Sequence, residues 1–458
     1  MRHLAAILLI VETAALGCPL GCVCDSGRNK LGVWERVICN GNGSTIFAAN
    51  FSKNTTELYI KNYTLNILNA THFEGLIHVR NLEIYRSSFI HIAEDTFSGL
   101  RNLTTLSLAF NVIRWFEKGL FHPLKKLRFL HLSTIQLTSL DPEMFRGLDD
   151  LVSVDIRNNE LSSIENFTFS ALSKLRHIDI SQNKLTYVGA LSFSGLENLE
   201  WLDLSQNMIS TIHKDTFSEL DKLKDIFLHG NRITRIDGQL FSGLNKVRHL
   251  NLGYNFIRDI EKGAFSDCKQ LNTLELNNND MTSLTQGVLF GAFKVKHLDA
   301  RHNQIEQISP AAFKDLTSLQ LLLLSENRLT DLHLCTFSGP CKLAVLDLSD
   351  NYLTVIRNGI FSSLSRLEEL NLKRNALEFV ELHGLNQLRY LHLANNRLYS
   401  LRNLRTPENL VSLTLVGNNF NCTCQFLDAL AKIGWSGSLI VSCHSSHKVS
   451  LHEEKNTN

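Results

Sequence analysis

The chain has 458 residues, of which 44% are apolar and 20% charged, and its formal net charge is +1. This composition excludes a disordered or collagen-like chain, and the near-neutral charge excludes the basic surface that nucleic-acid binding requires. A chain of this length usually divides into several globular domains, unless it is built from repeats that contact only their neighbours.

The N-terminus predicts export. A continuous apolar stretch, residues 4–11, is followed by Ala15 and Gly17, two small residues at the spacing that a signal peptidase reads. The stretch is too short to span a bilayer. We therefore expect a signal peptide over residues 1–17, a mature chain from Cys18, and no transmembrane segment in this chain.

Cysteines and glycosylation sequons support an extracellular location. Four cysteines crowd the new N-terminus, which predicts a disulfide-stabilised cap over residues 18–57: Cys18, Cys22, Cys24 and Cys39. Their spacing alone allows three disulfide pairings. Eight Asn-x-Ser/Thr sequons predict glycosylation, at Asn42, Asn50, Asn54, Asn62, Asn69, Asn102, Asn166 and Asn421.

A pattern that recurs sixteen times, mostly every 24 residues, fills residues 58–417. Each copy opens with an apolar-x-apolar pair such as Leu202-Asp203-Leu204, continues to an Asn and reaches a Phe fifteen residues after the first Leu. Such a period is typical of a leucine-rich repeat solenoid. The last residues, 418–458, then form a C-terminal cap that is incomplete.

Each position of the repeat has a physical role. The apolar pair predicts a short strand with one face turned inward, and the inward Asn can bond the backbone groups of the turn that follows. The Phe residues should stack behind the sheet. We predict an α/β solenoid, a leucine-rich repeat horseshoe, with a parallel sheet of about sixteen short strands on its concave face and a mostly irregular or 3-10 convex side. Three residues replace the Asn and predict looser turns: Tyr63, Ser87 and Ile135.

The repeats around residues 202–250, the CPLGCVC of residues 18–24 and the NNFNCTC of residues 418–424 resemble the typical subfamily of extracellular leucine-rich repeat proteins. That subfamily includes Slit, Toll-type receptor ectodomains, chaoptin and the variable lymphocyte receptors. The resemblance implies disulfides Cys18–Cys24 and Cys22–Cys39, and adhesion, guidance or innate-immune roles. It is specific for fold and poorly specific for function.

The C-terminal cap departs from the subfamily, whose caps carry four cysteines. The family pairing joins Cys422 to Cys443 and leaves Cys424 over. Either the sequence is truncated, or the cap has one disulfide, or Cys424 bonds to a partner. Cys335 and Cys341 flank Phe337 and predict a local disulfide. Cys268 occupies an apolar column and predicts a buried thiol.

No motif of a catalytic, metal or cofactor site is present, so we predict neither an enzyme nor a cofactor. Large aromatic, His and Arg side chains at strand positions that depart from the repeat pattern predict a protein-binding surface on the concave face. The main group comprises Trp201, Phe227, His229, His249, Tyr254, His297, Arg301 and His302. A second group comprises Phe110, Phe129 and His131.

These observations favour a secreted or cell-surface recognition protein that binds an extracellular or cell-surface protein. A structural matrix component is one alternative. Another is the ligand-binding part of a longer receptor that continues beyond Asn458. We make no prediction of ligand identity or oligomeric state.

Overall fold

The structure is a computed structural model. It describes residues 18–19, 21–29, 32–43, 51–382, 384–400, 409–420, 438–442 and 448–451. The predicted signal peptide lies outside these residues, as do Asn50, Asn421 and the three C-terminal cysteines. The chain divides into two compact units, Met1–Phe227 and Leu228–Asn458.

The first unit begins with an antiparallel hairpin, Cys22–Asn29 and Gly32–Asn40, whose second strand pairs in parallel with the first repeat. Each repeat then supplies one strand to a parallel sheet: Glu57–Lys61, Asn81–Tyr85, Thr105–Ser107, Phe129–His131, Ser153–Asp155, His177–Asp179, Trp201–Asp203 and Asp225–Phe227. Two-stranded pairs follow some turns: Thr64–Leu68 with Ser88–Ile92, and Tyr187–Val188 with Thr211–Ile212. The 3-10 helices are Ala70–Phe73 and Pro142–Phe145.

The second unit repeats this arrangement with eight strands: His249–Asn251, Thr273–Glu275, His297–Asp299, Leu321–Leu323, Val345–Asp347, Glu369–Asn371, Tyr390–His392 and Ser412–Thr414. The last of these pairs in parallel with Ser438–Ser442, which pairs antiparallel with Lys448–Leu451. Its two-stranded pairs are Arg235–Ile236 with Asp259–Ile260, Ser283–Leu284 with Gln307–Ile308, and Val355–Ile356 with Phe379–Val380. The predicted parallel-sheet solenoid of about sixteen short strands is confirmed.

Residues 24 apart lie side by side in the sheet. Ile178 pairs with Leu202, and Leu202 pairs with Ile226, and all three side chains are fully buried. Their sequence neighbours point to the opposite face, because successive side chains of a strand alternate. One face of the sheet therefore packs into the core, and the other face, the exposed sheet face, meets solvent.

The Asn column holds neighbouring repeats together at the end of each strand. The Oδ1 atom of Asn183 accepts the amide of Leu161 at 3.1 Å, and its Nδ2 atom donates to the carbonyls of Ile156 and Ile180, both at 3.1 Å. Buried backbone groups left without partners cost about 1–3 kcal/mol each. One inward side chain thus compensates three backbone groups where the strand gives way to the turn.

The three turns without Asn keep hydrogen bonds by other means. The Ser87 hydroxyl accepts the amide of Tyr63 at 3.1 Å. At Ile135 the backbone carbonyl accepts the amide of Ile113 at 2.7 Å. Pairing beyond the turn differs from repeat to repeat. The strand Thr64–Leu68 pairs with Ser88–Ile92 over most of its length, whereas Ser88–Ile92 meets the next repeat through a single bridge, Ser88 to Val112.

The predicted Phe column forms the core behind the sheet. Each of its rings is at most 3% exposed, and Leu289, the one substitute, is 2% exposed. Phe169 and Phe193 stack with ring centroids 6.2 Å apart and planes within 9°. The repeats have little regular secondary structure behind the sheet, so few other elements pack there. Burial of these rings therefore provides much of the hydrophobic stabilisation.

Candidate functional site: the exposed sheet face

An aromatic cluster lies on the exposed sheet face of the first unit. The Trp201 ring is 5.5 Å from the Phe227 ring and 6.5 Å from the His177 ring, centroid to centroid. Strand alternation turns all three outward while Leu202 and Ile226 fill the core beneath. Trp201 and Phe227 are partly accessible, and His177 is exposed. This cluster is a preformed apolar contact surface.

Carboxylates surround this cluster. In the sheet register Trp201 lies opposite Asp225, and Asp203 lies opposite Phe227. Neither carboxylate forms an ion pair with any residue that the structure describes, whereas Glu200 nearby is held by Lys224 at 2.6 Å. Negative charge next to aromatic faces attracts cationic side chains through both Coulomb and cation–π interactions. The chemistry of this face therefore suits a basic ligand.

Asp179 extends the acidic surface to the next strand. It lies in register between Asp155 and Asp203, and its Oδ1 accepts the amide and hydroxyl of Ser181 at 3.0 and 2.6 Å. Burial raises the pKa of Asp179 above its ordinary value, and the charges of Asp203 and Asp155 raise it further. The bonds from Ser181 act in the opposite direction. In the sequence these acids follow the repeat pattern, so their joint effect is invisible without the register.

In the second unit most of the predicted residues have partners on the exposed sheet face. The Nε2 of His249 lies 3.0 Å from Glu275, and the Nδ1 of His302 lies 2.8 Å from Glu326. Arg301 donates through Nε and Nη2 to both oxygens of Asp299, which raises the pKa of Arg301. These contacts hold the side chains in place, and the Arg301–Asp299 pair joins opposite charges. His229 is partly accessible and His297 is exposed.

Two of the predicted aromatics belong to turns and not to strands. Tyr254 and Phe110 each sit one residue before the column Asn, with φ of 53° and 60°. They are 60% and 59% exposed. Phe129 does lie on a strand, where the Arg128 guanidinium stacks 5.6 Å from its ring centroid. His131, also on that strand, is 3.9 Å from the Asp155 carboxylate. The spacing in the sequence predicts that Tyr254, Phe110, Phe129 and His131 all lie on the sheet face.

The two N-terminal disulfides are confirmed. Cys18 bonds to Cys24 and Cys22 to Cys39, and the second pair joins facing residues of the cap hairpin. Cys268 is a buried free thiol, as its column predicts.

The predicted Cys335–Cys341 disulfide is wrong for this structure, in which both thiols are free and exposed. The physical reason is the path of the chain. Cys335 belongs to a turn closed by the Thr336 amide on the His333 carbonyl, and Cys341 belongs to a second turn, closed by the Leu343 amide on the Pro340 carbonyl. Phe337 is fully buried between them. The two thiols thus sit on separate turns.

Six of the eight sequons lie within the described residues: Asn42, Asn54, Asn62, Asn69, Asn102 and Asn166. Asn69 caps the 3-10 helix that follows it by accepting the Thr71 amide at 3.2 Å. Asn102 donates to the Ile77 carbonyl at 2.8 Å. Glycosylation at all eight stays a prediction.

Among the described residues there is neither a membrane-spanning helix nor a cluster of metal-binding side chains. None of the helices there is long and apolar enough to cross a membrane. Within the same ranges, no group of three or more His, Cys, Asp or Glu side chains is placed to hold a metal ion.

Stacked 24-residue units with an inward Asn, a Phe core and an open sheet face define a repeat solenoid of the binding-scaffold type. A model of the leucine rich repeat matches residues 77–134, 134–185, 180–233, 221–281, 269–329, 293–340 and 341–398. The chain belongs to the leucine-rich repeat family.

Among curated proteins, the chain is similar to chondroadherin-like protein. It is 29% identical to the human protein and 31% identical to the mouse protein over 98 residues. That segment is 21% of this chain and 12% of each relative, so the chain matches only a small part of their length.

Solved structures share the fold over most of the chain. A leucine-rich repeat protein of Leptospira interrogans aligns with a TM-score of 0.65 at 23% identity, covering 80% of this chain and 91% of that one. A chain of the Toll–Spatzle complex of Drosophila aligns with a TM-score of 0.72 at 22% identity, covering 84% and 55%. The plant peptide hormone receptor RGFR1 in complex with RGF2 aligns with a TM-score of 0.56 at 20% identity, covering 86% and 68%. Identities this low show the fold alone.

Proposed function

We propose that the chain is an exported recognition protein that binds a protein ligand through its exposed sheet face and performs no chemistry on it. The supporting observation is the aromatic cluster of Trp201 and Phe227 beside the unpaired carboxylates of Asp203 and Asp225. Aromatic side chains are the usual energetic anchors of protein interfaces, and a few of them carry most of the binding energy.

The ligand that this surface fits is a protein with an exposed basic segment. Lys or Arg side chains of such a segment would stack on the Trp201 and Phe227 rings while their charge pairs with the carboxylates. Complementary charge also speeds association and makes it sensitive to salt.

Export is part of this proposal. The two disulfides of the cap require an oxidising compartment, and the signal peptide over 1–17 would deliver the chain there. We accordingly propose the cap at 18–57, repeats at 58–417 and a second cap at 418–458. The location is extracellular, or the cell surface if the chain continues beyond Asn458.

The test begins with photo-crosslinking of the mature protein to cell surfaces, followed by mass spectrometry of the captured protein and titration of the purified pair. Replacing Trp201 and Phe227 by Ser should weaken binding by about thirtyfold, the loss of an interface anchor of about 2 kcal/mol. Replacing Asp203 and Asp225 by Ser should weaken binding and reduce its dependence on salt.

Tyr187→Ser is the control, because Tyr187 is an exposed aromatic of the first unit that lies in the two-stranded pair with Thr211–Ile212 and not on the exposed sheet face. It should bind the ligand normally. Unchanged affinity in both the aromatic and the carboxylate variants would show that the ligand binds elsewhere.

A further inference from the structure

A groove of about 640 Å³ runs along the turn edge of the first five repeats. It crosses the residue that precedes the column Asn in successive repeats, in the order Asn62, Arg86, Phe110, Thr134 and Asn158. The groove lies where Tyr63, Ser87 and Ile135 interrupt the Asn column, and it passes the single bridge from Ser88 to Val112, two residues that line it. It therefore follows from the irregular repeats.

The backbone conformation at Phe110, which lines this groove, is unfavourable for a bulky side chain. The turn position before the column Asn is left-handed throughout, with φ of 55° at Asn158, Gln182 and Gln206. Asn and Gly tolerate this conformation, whereas a bulky side chain is strained in it. An exposed aromatic at such a position stabilises nothing within the chain, so its ring is available to cover an occupant.

One residue that lines the groove is a glycosylation site, and its glycan is the candidate occupant. Asn62 is the acceptor residue of the sequon Asn62-Tyr63-Thr64, and both Asn62 and Thr64 line the groove. The Asn62 amide donates to the Oδ1 of Asn40 at 2.9 Å. A glycosylated Asn keeps one amide hydrogen, so this bond can persist and aim the first sugar along the turn edge.

The lining has the chemistry of a sugar-binding surface. A pyranose ring has apolar C–H faces and a rim of hydroxyls. The Phe110 ring offers an apolar platform, while Arg86, Thr134 and Asn158 offer donors and acceptors. Phe110 is two repeats from Asn62, about 10 Å at the strand spacing of a parallel sheet, a distance that the first two sugars of an N-linked chain can span.

We propose that the N-glycan of Asn62 packs into this groove, with its core sugars against Phe110, and serves as a fixed part of the turn edge. It would cover the apolar surface that the irregular repeats leave open. Among the other described sequons, Asn54 and Asn166 are exposed and do not line this groove, whereas Gly43 of the Asn42 sequon borders it. This inference needs export of the chain but not the ligand proposed above.

The test measures how fast an N-glycan-releasing amidase removes each glycan from the native secreted protein, by glycopeptide mass spectrometry. Release at Asn62 should be about tenfold slower than at Asn54, which corresponds to docking favoured by about 1.4 kcal/mol. Denaturation should make the two rates equal.

Phe110→Asn separates docking from folding, because Asn suits the left-handed turn and should leave the melting temperature unchanged or raise it. Release at Asn62 should then accelerate to the Asn54 rate. Tyr254→Asn is the matched control, since Tyr254 has the same turn position, the same exposure and a similar φ. It should leave release at Asn62 slow.

Three results would overturn the proposal. They are an unoccupied Asn62 in the secreted chain, equal native release rates at Asn62 and Asn54, and slow release that persists in Phe110→Asn. The last would mean that protection comes from something other than the ring. Ligand binding can fail or succeed independently of all three.

Discussion

The amide of Ile113 donates to the carbonyl of Ile135 at 2.7 Å, at the level where other repeats use an Asn side chain. At this turn the backbone carbonyl therefore replaces the missing Asn side chain as the acceptor. Neighbouring turns also adjust, since the Oδ1 of Asn159 accepts the amides of both Ile135 and Leu137 at 3.0 Å.

Asn183→Leu should destabilise the fold strongly, because it leaves the Leu161 amide without its bond and removes one of the two Asn side chains that donate to each of the Ile156 and Ile180 carbonyls. The expected loss is about 2–5 kcal/mol in the free energy of unfolding, measured by denaturant titration. Ile135→Asn is the control and should change stability much less, since the backbone bonds there are already made. Equal losses in the two variants would contradict this role of the column.

Phe241→Ala should cost about 3–5 kcal/mol, the range for emptying a buried aromatic site. Phe241 is 1% exposed and stacks on Phe265 at 6.0 Å. The melting temperature should fall with or without a ligand. Phe129→Ser, on the exposed face, should leave it nearly unchanged, and a fall of similar size there would argue against the assigned core.

Asp179→Asn should raise the melting temperature at neutral pH, even though it removes the attraction of the Arg157 guanidinium, 3.8 Å from this carboxylate. The change creates the sequon Asn-Ile-Ser, and Asp347→Asn below creates Asn-Leu-Ser, so both variants are made without N-glycosylation. The pKa of Asp179 is raised in the folded state, so the carboxyl contributes stability that is present below its unfolded pKa and is lost as pH rises through its folded pKa. The Asn side chain keeps the Oδ1 acceptor for Ser181. The gain should shrink as the pH is lowered below about 4, the ordinary pKa of Asp.

Asp347→Asn provides the comparison. Asp347 makes the same bonds to Ser349, at 3.0 and 2.7 Å, but its strand neighbours are Leu323 and Asn371 instead of two acids. Its effect on the melting temperature should be smaller. A neutral or destabilising Asp179→Asn at pH 7 would contradict the argument from burial and like charge.

Thiol reactivity should separate Cys268 from Cys335 and Cys341. Burial raises the pKa of Cys268 to about 12, and the side chain is 1% exposed, so both thiolate population and access are low. Iodoacetamide should label Cys335 and Cys341 in the native protein and Cys268 only after unfolding. Native labelling of Cys268, or protection of the other two without reductant, would contradict the structure.

Removing the Cys22–Cys39 disulfide by a double Ser substitution should cost about 2–5 kcal/mol. Chain closure in the unfolded state and the hairpin between these residues both contribute. The loss should appear as earlier denaturant unfolding, with Phe121→Ala in the interior as a reference of similar size. A double Ser variant as stable as the parent would show that the hairpin holds without the bond.

Local periodicity was enough to predict the repeat fold. The alternation around Leu202 requires a strand with one buried face, and the column of Phe residues requires a core behind the sheet. The strands, the core and the outward direction of Trp201 therefore follow from the sequence. The pairing of Cys18 with Cys24 needed the family resemblance, because spacing alone left three choices.

Features that depend on neighbouring repeats could not be predicted. The raised pKa of Asp179 requires the register with Asp155 and Asp203, which brings acids 24 residues apart into one row. The sequence predicts looser turns at Tyr63, Ser87 and Ile135, but the groove at Phe110 depends on how five successive turns stack, which the residue pattern does not define. The Cys335–Cys341 prediction failed because closeness in sequence does not place two thiols on the same turn.

The hydrogen bonds of the Asn column join residues 22 or 27 positions apart in the chain. Because each repeat contacts only the adjacent repeats, local unfolding should start at an end of the solenoid and proceed inward. Amide hydrogens of the cap hairpin and of the last strands should exchange with solvent first, and those of the interior strands last. The disulfides Cys18–Cys24 and Cys22–Cys39 restrain the N-terminal end of the solenoid against unfolding. We therefore expect exchange to advance mainly from the C-terminal end.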